Sequence, residues 1–475
     1  AIDEVKRFIA QQDLDAATRF VPEKVIPKVD GEFGEKIAVI GAGPAGMSCA
    51  FYLAEKGYRP TVFEKEERPG GMLVNGIPSF RLEKDVVQAE INILREMGVE
   101  FRCGVEVGKD ITIAQLREEG YQGFYVAVGL QSGGSLNIPG GEAQGVQAGI
   151  DFMRHVNSGL CSKMTDRVVV IGGGNIGADV ARTALRCGAD SVDLYCLESY
   201  DDMPMGPEDR GECERDGITI HAGWGQTEIV TENGHAAGIR FRKCLRVKND
   251  QGRFAPEFDD NDTCQAQCAA VLYCIGQKVD WRQLLTGTAV TFNPNGTAQV
   301  DPVTYQTAEP DIFAGGDAVT GQKFAIDAIA AGKEGAISLH RFVQKATLTI
   351  GRNRRQFVEL DKENALIPVG FDNTPRQRIG YNEALRRTFR DERVAFTAEQ
   401  VQKETARCLS CGASVVDPNK CIGCGVCTTK CAFDAIHLHR ERPECTNMIP
   451  SEDKMKAILP YMMKRQIKIR KAGKK

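Results

Sequence analysis

Hydrophobic positions follow a helical period at the start of the chain and then alternate between strand-like and helix-like stretches. Val5, Phe8 and Ile9 recur at helical spacing, which predicts a short helical segment at the N-terminus. An apolar run over residues 37–40 leads into a glycine turn, a helix-forming stretch over 47–56 and a second apolar run. This order predicts a strand–turn–helix–strand unit with parallel strands.

The same order of elements begins again at residue 168. An apolar run over 168–171, a second glycine turn, a helical stretch over 178–187 and an apolar run over 191–196 follow one another. Two such units predict an α/β fold with two Rossmann-like dinucleotide-binding domains. Further along the chain, a strand that ends near residue 314 precedes a predicted helix over 324–339.

Composition narrows the class of protein. The chain has 475 residues, 42% of them hydrophobic and 26% charged, and a formal net charge of −4. The near balance of charges argues against nucleic acid as the main partner. No run of about 18 apolar residues is present and the charged N-terminus lacks a secretory signal, so we expect a cytoplasmic protein with no membrane span. Seven of the 17 cysteines lie between Cys408 and Cys445, and such crowding predicts a metal site rather than disulfides.

The first glycine turn has the Gly-x-Gly-x-x-Gly spacing of a dinucleotide site. Its first glycine permits the tight turn, its second lets the backbone approach a pyrophosphate, and its third lets the helix pack against the strand. Glu64 ends the next strand, where a carboxylate can accept hydrogen bonds from ribose hydroxyls. The alternative is a turn that serves packing alone. The predicted contacts in this turn are Gly41, Gly43, Pro44, Ala45 and Gly46.

Two further features favour FAD at this first site. A second short turn, containing Gly71, Met72 and Leu73, would let the backbone approach the flavin. Gly316 and Asp317 end the late strand, where the carboxylate can bind ribityl hydroxyls and the following helix can direct its positive end at the flavin. An ordinary helix N-cap is the alternative role of this aspartate.

The glycine turn of the second unit repeats the fingerprint in an equally suitable context. Glu198 follows the next strand, where an acid suits the 2′-hydroxyl of NAD and repels the 2′-phosphate of NADP. This position favours NADH, and the alternative is a solvated glutamate at the end of a strand. The predicted contacts in the turn are Gly172, Gly174, Asn175, Ile176 and Gly177.

The C-terminal cysteines have the spacing of an iron–sulfur site. The C-x2-C-x2-C-x3-C pattern places three thiolates around one 4Fe-4S cluster and sends the fourth to a neighbouring one. Zinc is the alternative, because thiolates suit both metals. The four cysteines of the pattern are Cys421, Cys424, Cys427 and Cys431. Cys408 and Cys411 form a second pair, which leaves open a second iron–sulfur cluster with a non-cysteine ligand or a zinc shared with a partner.

Together these motifs resemble the small-subunit family of glutamate synthase, which includes flavin subunits of ferredoxin:NAD(P) oxidoreductases and the flavin portion of dihydropyrimidine dehydrogenase. The resemblance implies a glutathione-reductase-like FAD domain interrupted by an NAD(P)H domain, with hydride passing from nicotinamide to flavin and no catalytic acid, base or nucleophile. Besides the glycine turns, the likeness is carried by residues 6–10, 76–82, 138–140, 202–204, 273–277, 313–317 and 407–411. Further cofactor contacts are expected at Lys65, Arg81, Val107, Gly129 and Gly276.

Several departures from the family pattern shape the expectations. Glu198 stands where members that use NADPH commonly have two arginines. The cysteine-rich domain that begins many members is not part of this sequence, so we expect a preceding cluster to come from another subunit or to be absent. The C-terminal cysteine cluster is a third departure. An exclusion supports the assignment: residues 70–78 contain no cysteine, which argues against a redox dithiol beside the flavin, and we interpret Cys264 and Cys268 as incidental thiols.

The expected division of the chain follows from these motifs. A helical segment (1–34) precedes the first part of the FAD domain (35–160), the NAD(P)H domain (161–296), the second part of the FAD domain (297–350), a polar connector (351–405) and a ferredoxin-like iron–sulfur domain with a basic tail (406–475).

The combined features predict an FAD-dependent NAD(P)H oxidoreductase subunit. Electrons would pass through the cysteine cluster to or from ferredoxin or another redox subunit, in a complex that the resemblance associates with electron bifurcation. One alternative is the reductase subunit of an NADPH-dependent glutamate synthase, and another is a redox-inert structural subunit that binds nucleotides. The basic tail over 461–475 is either a solvated end or a docking surface for an acidic partner.

Overall fold

The computed structural model describes residues 1–22, 32–160, 163–164, 166–350, 352, 374–408, 421–430, 436 and 451–472. These residues divide into two compact units. The larger contains the described residues of Ala1–Arg352 and Pro368–Leu409, and the smaller contains those of Asn353–Ile367 and Ser410–Lys475.

The first part of the larger unit supplies the N-terminal helix and most of one sheet. Residues 37–40 are buried throughout, because both faces of a parallel sheet are covered by helices. In chain order the elements are α1 (Ile2–Leu14), β1 (Lys36–Ile40), α2 (Pro44–Lys56), β2 (Thr61–Glu64), α3 (Met72–Asn75), α4 (Lys84–Glu96), β3 (Glu100–Cys103), α5 (Ile113–Glu118) and β4 (Tyr121–Val126).

The middle of the chain builds a second parallel sheet and an antiparallel sheet of three long strands. The elements are β5 (Ser132–Gly133), β6 (Val146–Ala148), α6 (Gly149–Asn157), β7 (Arg167–Ile171), α7 (Asn175–Arg186), β8 (Ser191–Cys196), α8 (Pro207–Asp216), β9 (Thr219–Ala222), β10 (Trp224–Glu232), β11 (His235–Lys248), β12 (Phe254–Gln267), β13 (Ala270–Tyr273) and β14 (Gln277–Lys278). Strands β10, β11 and β12 form the antiparallel sheet.

The chain then returns to the first sheet through β15 (Ile312–Ala314), α9 (Asp317–Thr320) and α10 (Ala325–Val343). The first sheet is parallel, with strand order β15–β4–β1–β2–β3. The second is also parallel, with strand order β6–β13–β7–β8–β9. The predicted α/β class with two dinucleotide-binding domains is confirmed.

The structure corrects both predicted borders of the inserted domain. Strands β5 and β14 pair with each other as a two-stranded antiparallel ribbon, so the chain leaves the first domain near residue 132 and returns near residue 278. Strand β6, expected in the first domain, pairs with β13 of the second. Trp281 and Leu284, expected in the second domain, pack in the core of the first. The predicted borders at 160 and 296 are therefore wrong, because strands of two residues leave no hydrophobic pattern in the sequence.

Part of the expected connector belongs to the larger unit. Residues 374–408, here called the C-terminal arm, contain β16 (Gly380–Tyr381), a 3₁₀ turn (Glu383–Leu385), β17 (Arg393–Val394) and α11 (Ala398–Ala406). Glu392 of the arm is buried, and its Oε1 lies 3.2 Å from a guanidinium nitrogen of Arg182 and 3.2 Å from one of Arg215. Phe396 is also buried. The polar composition is misleading here, because some of the charges, such as that of Glu392, are buried and paired.

The described residues of the smaller unit include two helices and a 3₁₀ turn (Ser451–Asp453). The helices are α12 (Val426–Lys430) and α13 (Lys454–Ala472). Much of the predicted basic tail is thus helical, and its side chains over 454–471 are exposed. Over the ranges that the structure describes, no helix is both long and apolar enough to cross a lipid bilayer.

Helices α2 and α10 of the first domain cross at a point of unusually close packing. A Cβ added to Gly332 of α10 would lie 2.3 Å from the carbonyl oxygen of Ala45 and 2.7 Å from Cβ of Ser48. Both contacts are shorter than van der Waals distance, so only glycine fits at this crossing.

We therefore expect Gly332→Ala to destabilise the protein by about 1–3 kcal/mol, because the added methyl group overpacks this contact. The matched control is Gly211→Ala in α8, where an added Cβ meets nothing within 4 Å. That variant should gain about 0.5–1 kcal/mol, because alanine favours a helix interior. Thermal unfolding followed by circular dichroism measures both changes, and equal melting temperatures would contradict the close packing.

Candidate functional site

A cavity of about 1120 Å³ lies between the two parallel sheets of the larger unit. It is lined from both domains at the carboxyl ends of their strands, which is where open α/β sheets bind ligands. The predicted cofactor contacts all line this cavity except Gly46. The two glycine turns predicted separately from the sequence therefore open onto one shared space.

The first glycine turn has the geometry of a dinucleotide cradle. Gly41 has a φ of +102°, and a Cβ there would lie 2.5 Å from the carbonyl oxygen of Ala127. A Cβ on Gly46 would lie 1.9 Å from the carbonyl oxygen of Gly41, so this third glycine serves the packing of α2 against β1 and not the cavity wall. At Gly43 an added Cβ meets nothing within 4 Å. That open backbone, at the N-terminus of α2, fits a pyrophosphate group.

Glu64 ties the first turn to the end of β2. Its Oε2 accepts the backbone N–H of Ala42 at 2.8 Å, and its Oε1 accepts the N–H of Glu66 at 3.0 Å. Burial raises the pKa of Glu64, and the two backbone donors lower it. The carboxylate lines the cavity, as a ribose ligand would.

The features predicted for the flavin also meet at this cavity. Gly71 has a φ of +54°, and a Cβ there would lie 2.8 Å from Cα of Gly43, so the two turns are in contact. Asp317 is the first residue of α9, and burial raises the pKa of its carboxyl group to about 6. The N-caps of α9 and α10 are Gly316 and Phe324, so the aspartate does not act as the cap of either helix.

The second glycine turn repeats the geometry of the first. Gly172 has a φ of +130°, and a Cβ there would lie 2.6 Å from the carbonyl oxygen of Cys274. A Cβ on Gly177 would lie 2.0 Å from the carbonyl oxygen of Gly172, whereas one on Gly174 would meet nothing within 4 Å. Glu198 follows β8 and lines the cavity, with its Oε2 3.3 Å from the Cβ position of Gly173.

Arg81, expected as a cofactor contact, is held by ion pairs with the second domain. Its Nε lies 2.7 Å from Oδ1 of Asp179, and its Nη2 lies 2.7 Å from Oδ1 of Asp209. The side chain lines the cavity, but carboxylates of the second domain already neutralise its charge. Neither partner was predicted, because residues distant in sequence give no local signal of their pairing.

Two other parts of the cavity wall were not predicted from the sequence. Gln226 reaches the wall from β10 of the antiparallel sheet. The return segment also contributes, since Leu284 lines the cavity and its backbone would lie 2.6 Å from a Cβ on Gly108. Neither position carries a motif, so only the fold brings them to the site.

The structure describes part of the cysteine-rich segment. Cys421, Cys424 and Cys427 are exposed, and the glycines between them, Gly423 and Gly425, have φ values of +68° and +76°. Thiolates on a glycine-rich loop are a donor set that fits an iron–sulfur cluster. Within the described ranges, no three His, Cys, Asp or Glu side chains gather as a metal-binding group. Cys408 is exposed at the end of α11, whereas Cys411, Cys431 and Cys445 lie outside the described residues.

A family model described as pyridine nucleotide-disulphide oxidoreductase matches residues 35–332. The chain belongs to this family. A second model, described as a 4Fe-4S binding domain, matches residues 414–436. The pyridine nucleotide-disulphide oxidoreductase portion thus covers both dinucleotide-binding domains, and the iron–sulfur motif follows it.

Three curated relatives are similar in sequence to this oxidoreductase. It is 33% identical over 440 residues to the NADP(+)-dependent formate dehydrogenase subunit beta of Moorella thermoacetica, covering 86% of this chain and 61% of that one. It is 32% identical over 315 residues to the NAD-dependent dihydropyrimidine dehydrogenase subunit PreT of Escherichia coli O157:H7, covering 66% and 69%. It is 32% identical over 314 residues to the glutamate synthase (NADPH) small chain of Halomonas elongata, covering 63% and 66%. The predicted resemblance is confirmed, and the chain spans only about three fifths of the first relative.

A solved structure of FprA from Mycobacterium tuberculosis shares the fold. The TM-score is 0.57 at 17% identity, covering 66% of this chain and 85% of that one. The comparisons and the structure agree on an oxidoreductase with a fold for FAD and NAD(P) and with a 4Fe-4S motif.

The two open glycines provide separate tests of the two turns. We expect Gly43→Ala to lower FAD affinity by about tenfold or more, equivalent to about 1.4 kcal/mol, because the methyl group enters space intended for a phosphate. Gly174→Ala should leave FAD content unchanged and weaken nicotinamide dinucleotide binding instead. FAD content by absorbance and dinucleotide affinity by calorimetry measure the two effects.

The unfolding temperatures of both variants and of the parent protein, each measured after removal of FAD, serve as the control. Those of the variants should match that of the parent protein, because neither methyl group meets an atom within 4 Å. If both variants lost both ligands equally, the assignment of one ligand to each turn would be wrong.

Proposed function

We propose that this chain is an FAD-dependent NAD(P)H oxidoreductase subunit that moves electrons between a nicotinamide dinucleotide and an iron–sulfur cluster. The observation that carries the proposal is the opening of both glycine turns onto one cavity. FAD, when bound, accepts a hydride and releases the two electrons one at a time. Two cofactor-sized sites sharing one space fit a direct transfer between them.

The residues of the chain would bind and orient the reactants. In this proposal the N-terminus of α2 and the carboxylates of Glu64 and Asp317 hold FAD, and the N-terminus of α7 holds the nicotinamide dinucleotide. Cys421, Cys424, Cys427 and Cys431 would hold the 4Fe-4S cluster. No side chain needs to act as an acid, base or nucleophile, because the cofactors supply the chemistry.

NADH is the proposed nucleotide. Glu198 supplies a carboxylate at the end of β8, where it would accept hydrogen bonds from the 2′-hydroxyl and repel a 2′-phosphate. Among the described residues that the second domain contributes to the cavity wall, none is lysine or arginine. The relatives include both kinds of enzyme, since one is named as NAD-dependent and another as NADP(+)-dependent, so the support comes from this carboxylate.

The proposed partners are other redox subunits or ferredoxin, and the proposed location is the cytoplasm. Two of the relatives are named as subunits and a third as a small chain, which supports membership of a complex. The resemblance favours electron bifurcation as the activity of such a complex. Cys408 and Cys411 would add ligands for a second iron–sulfur cluster or for zinc, although seven C-terminal cysteines are one short of the eight that two complete 4Fe-4S clusters need.

The function is tested by anaerobic rapid mixing with NADH and, separately, with NADPH. We expect NADH to bleach the flavin absorbance and then to produce the EPR signal of a reduced cluster. In Cys424→Ser the flavin should still bleach at the parent rate while the 4Fe-4S signal is lost, because the substitution removes one cluster ligand. Absence of flavin bleaching with both nucleotides would contradict the proposal and favour a redox-inert subunit.

Replacement of the acid after β8 tests the choice of nucleotide. We expect Glu198→Gln to shift the ratio of kcat/KM for NADH over NADPH by about tenfold toward NADPH, because repulsion of the 2′-phosphate is worth about 1.4 kcal/mol or more. Glu232→Gln, an exposed residue at the end of β10, is the matched control and should leave the ratio unchanged.

The alternative assignment is the small chain of an NADPH-dependent glutamate synthase, which the match to the Halomonas elongata protein favours. That assignment would be supported against ours by two results together. The parent protein would prefer NADPH, and Glu198→Gln would leave this preference unchanged.

A further inference from the structure

We propose that Arg81 is a positioning residue, whose ion pairs with Asp179 and Asp209 hold the second domain in the orientation in which the nicotinamide reaches the flavin. The effect on hydride transfer rests on the proposed function, whereas the ion pairs themselves do not depend on it. Arg81 belongs to the first domain, and both carboxylates belong to the second.

The position of the three residues connects the two binding turns. Residues 76–83, here called the bridging loop, join α3 to α4, and α3 lines the cavity. Arg81 lies in this loop. Asp179 lies in the first turns of α7, just after Gly177, and Asp209 lies near the start of α8. The guanidinium therefore joins the flavin side of the cavity to the helix that begins at the second glycine turn.

The ion pairs are largely shielded from water. The exposed fractions of the side chains are 27% for Arg81, 14% for Asp179 and 15% for Asp209. The planar guanidinium presents several N–H donors in fixed directions, so it can contact two carboxylates on different helices at once. Removing it would leave two largely buried carboxylates without their cation. The contact from Nε to Asp179 is a hydrogen bond and is therefore directional, whereas the contact from Nη2 to Asp209 is an ion pair without hydrogen-bond geometry. Loss of the guanidinium should change the orientation of the domains.

Other contacts hold the two ends of the bridging loop. Nδ2 of Asn157, in α6 of the second domain, donates to the carbonyl oxygen of Asn75 at 3.0 Å and to that of Ile77 at 3.2 Å. Phe80 lies under the guanidinium groups of Arg182 and Arg186, at 4.9 and 4.0 Å from its ring centroid.

Two cations outside the second domain also hold this loop. Nζ of Lys84 donates to the carbonyl oxygens of Leu73 and Ile77, and Nη2 of Arg393 in the C-terminal arm donates to that of Arg81 at 3.2 Å. Because the backbone of the loop is held in this way, a shift of Arg81 caused by loss of its ion pairs can also shift α3.

The surroundings of Arg81 do not suit an anionic ligand. Besides its two partners, Glu212 lies 3.9 Å from its Nη2. A phosphate brought to this guanidinium would approach three carboxylates, so a positioning role accounts for the site better than cofactor binding does.

Protonation of Asp179 provides a signature that a purely structural contact would not give. Burial raises the pKa of this carboxyl group to about 6, and the nearby arginines oppose the rise. Above that pH the carboxylate is charged and pairs with Arg81, and below it the pair loses the negative charge. The charged groups that face Asp179 are Arg81 and Lys84 from the first domain, Arg182 from α7 and Asp209 from α8. Glu212 of α8 lies near the same guanidinium of Arg81.

The experiment compares Arg81→Gln, Asp179→Asn and the double variant by anaerobic rapid mixing with saturating NADH. We expect each single variant to slow the limiting rate of flavin reduction by about tenfold or more, because misplaced reactants lose orientation. FAD content and the dissociation constant for NADH should change by less than about twofold. The double variant should be no slower than the slower single one, because the residues act as one pair.

The limiting rate in the parent protein should also fall as the pH is lowered through about 6, following Asp179. In Asp179→Asn the part of that fall that follows Asp179 should be absent, and any fall that remains belongs to another group such as Asp317, whose carboxyl pKa is also raised to about 6. Identical pH profiles in the two proteins would overturn the role of this pair.

A second measurement does not depend on activity. Hydrogen–deuterium exchange of the full chain without NADH should rise in residues 76–83 and at the start of α7 in both single variants. The matched control is Arg246→Gln, which breaks an exposed ion pair with Glu257 on β11 and β12 and should change neither region nor the rate. If Arg81→Gln does not fold, Asp179→Asn and Arg81→Lys carry the same tests.

The outcomes separate this inference from the proposed function. If NADH does not reduce the parent protein, the proposed function fails, and the exchange data alone decide the role of the pair. Loss of FAD from Arg81→Gln, or an effect on NADH affinity alone, would make Arg81 a cofactor ligand and overturn the inference. Unchanged rates with unchanged exchange would overturn it as well.

Discussion

The close approach of a helix to the strand before it is the constraint on which both binding sites depend. In each βαβ unit the third glycine of the turn lies so near the first that an added Cβ would be 1.9 or 2.0 Å from its carbonyl oxygen. This contact sets where α2 and α7 begin and directs their N-terminal N–H groups along the cavity wall. Without it the open second glycines, Gly43 and Gly174, would not face the space that a pyrophosphate needs.

The relative orientation of the two domains depends on a different kind of contact. No hydrophobic core cluster of the described residues combines buried side chains of both domains, and the short ribbon of β5 and β14 lies where the described chain leaves the first domain and returns to it. Hydrogen bonds and ion pairs at the bridging loop therefore help to fix the orientation of one domain relative to the other. Such contacts have strict geometry. The distance between the two binding turns is thus controlled by a few polar side chains.

The sequence predicted the repeated units well, because hydrophobic runs and glycine spacing are local signals. Strand β8 was predicted at its observed residues, whereas α7 begins at Asn175 and not at residue 178. The helix starts earlier because its N-terminus is part of the glycine turn itself.

The errors arose where structure depends on pairing between distant residues. The ribbon of two-residue strands, the buried Glu392 of the C-terminal arm and the partners of Arg81 have no local pattern. The assignment of Glu198 to the nucleotide and of the cysteines to a cluster stays a prediction.

The chain belongs to a family named for disulphide chemistry, yet the chemistry of its described cysteines points elsewhere. Residues 70–78, beside the cavity, contain none. Burial raises the pKa of Cys213, Cys268 and Cys274 to about 12, which keeps them as thiols, and a thiol is a poor nucleophile and a poor redox partner. The described cysteines that are exposed are Cys408, Cys421, Cys424 and Cys427, all in or next to the C-terminal motif. Among the described cysteines, those of the dinucleotide-binding domains are buried or partly buried, and the fully exposed ones belong to the C-terminal motif or lie next to it. This distribution favours a cluster over a dithiol as the route for electrons.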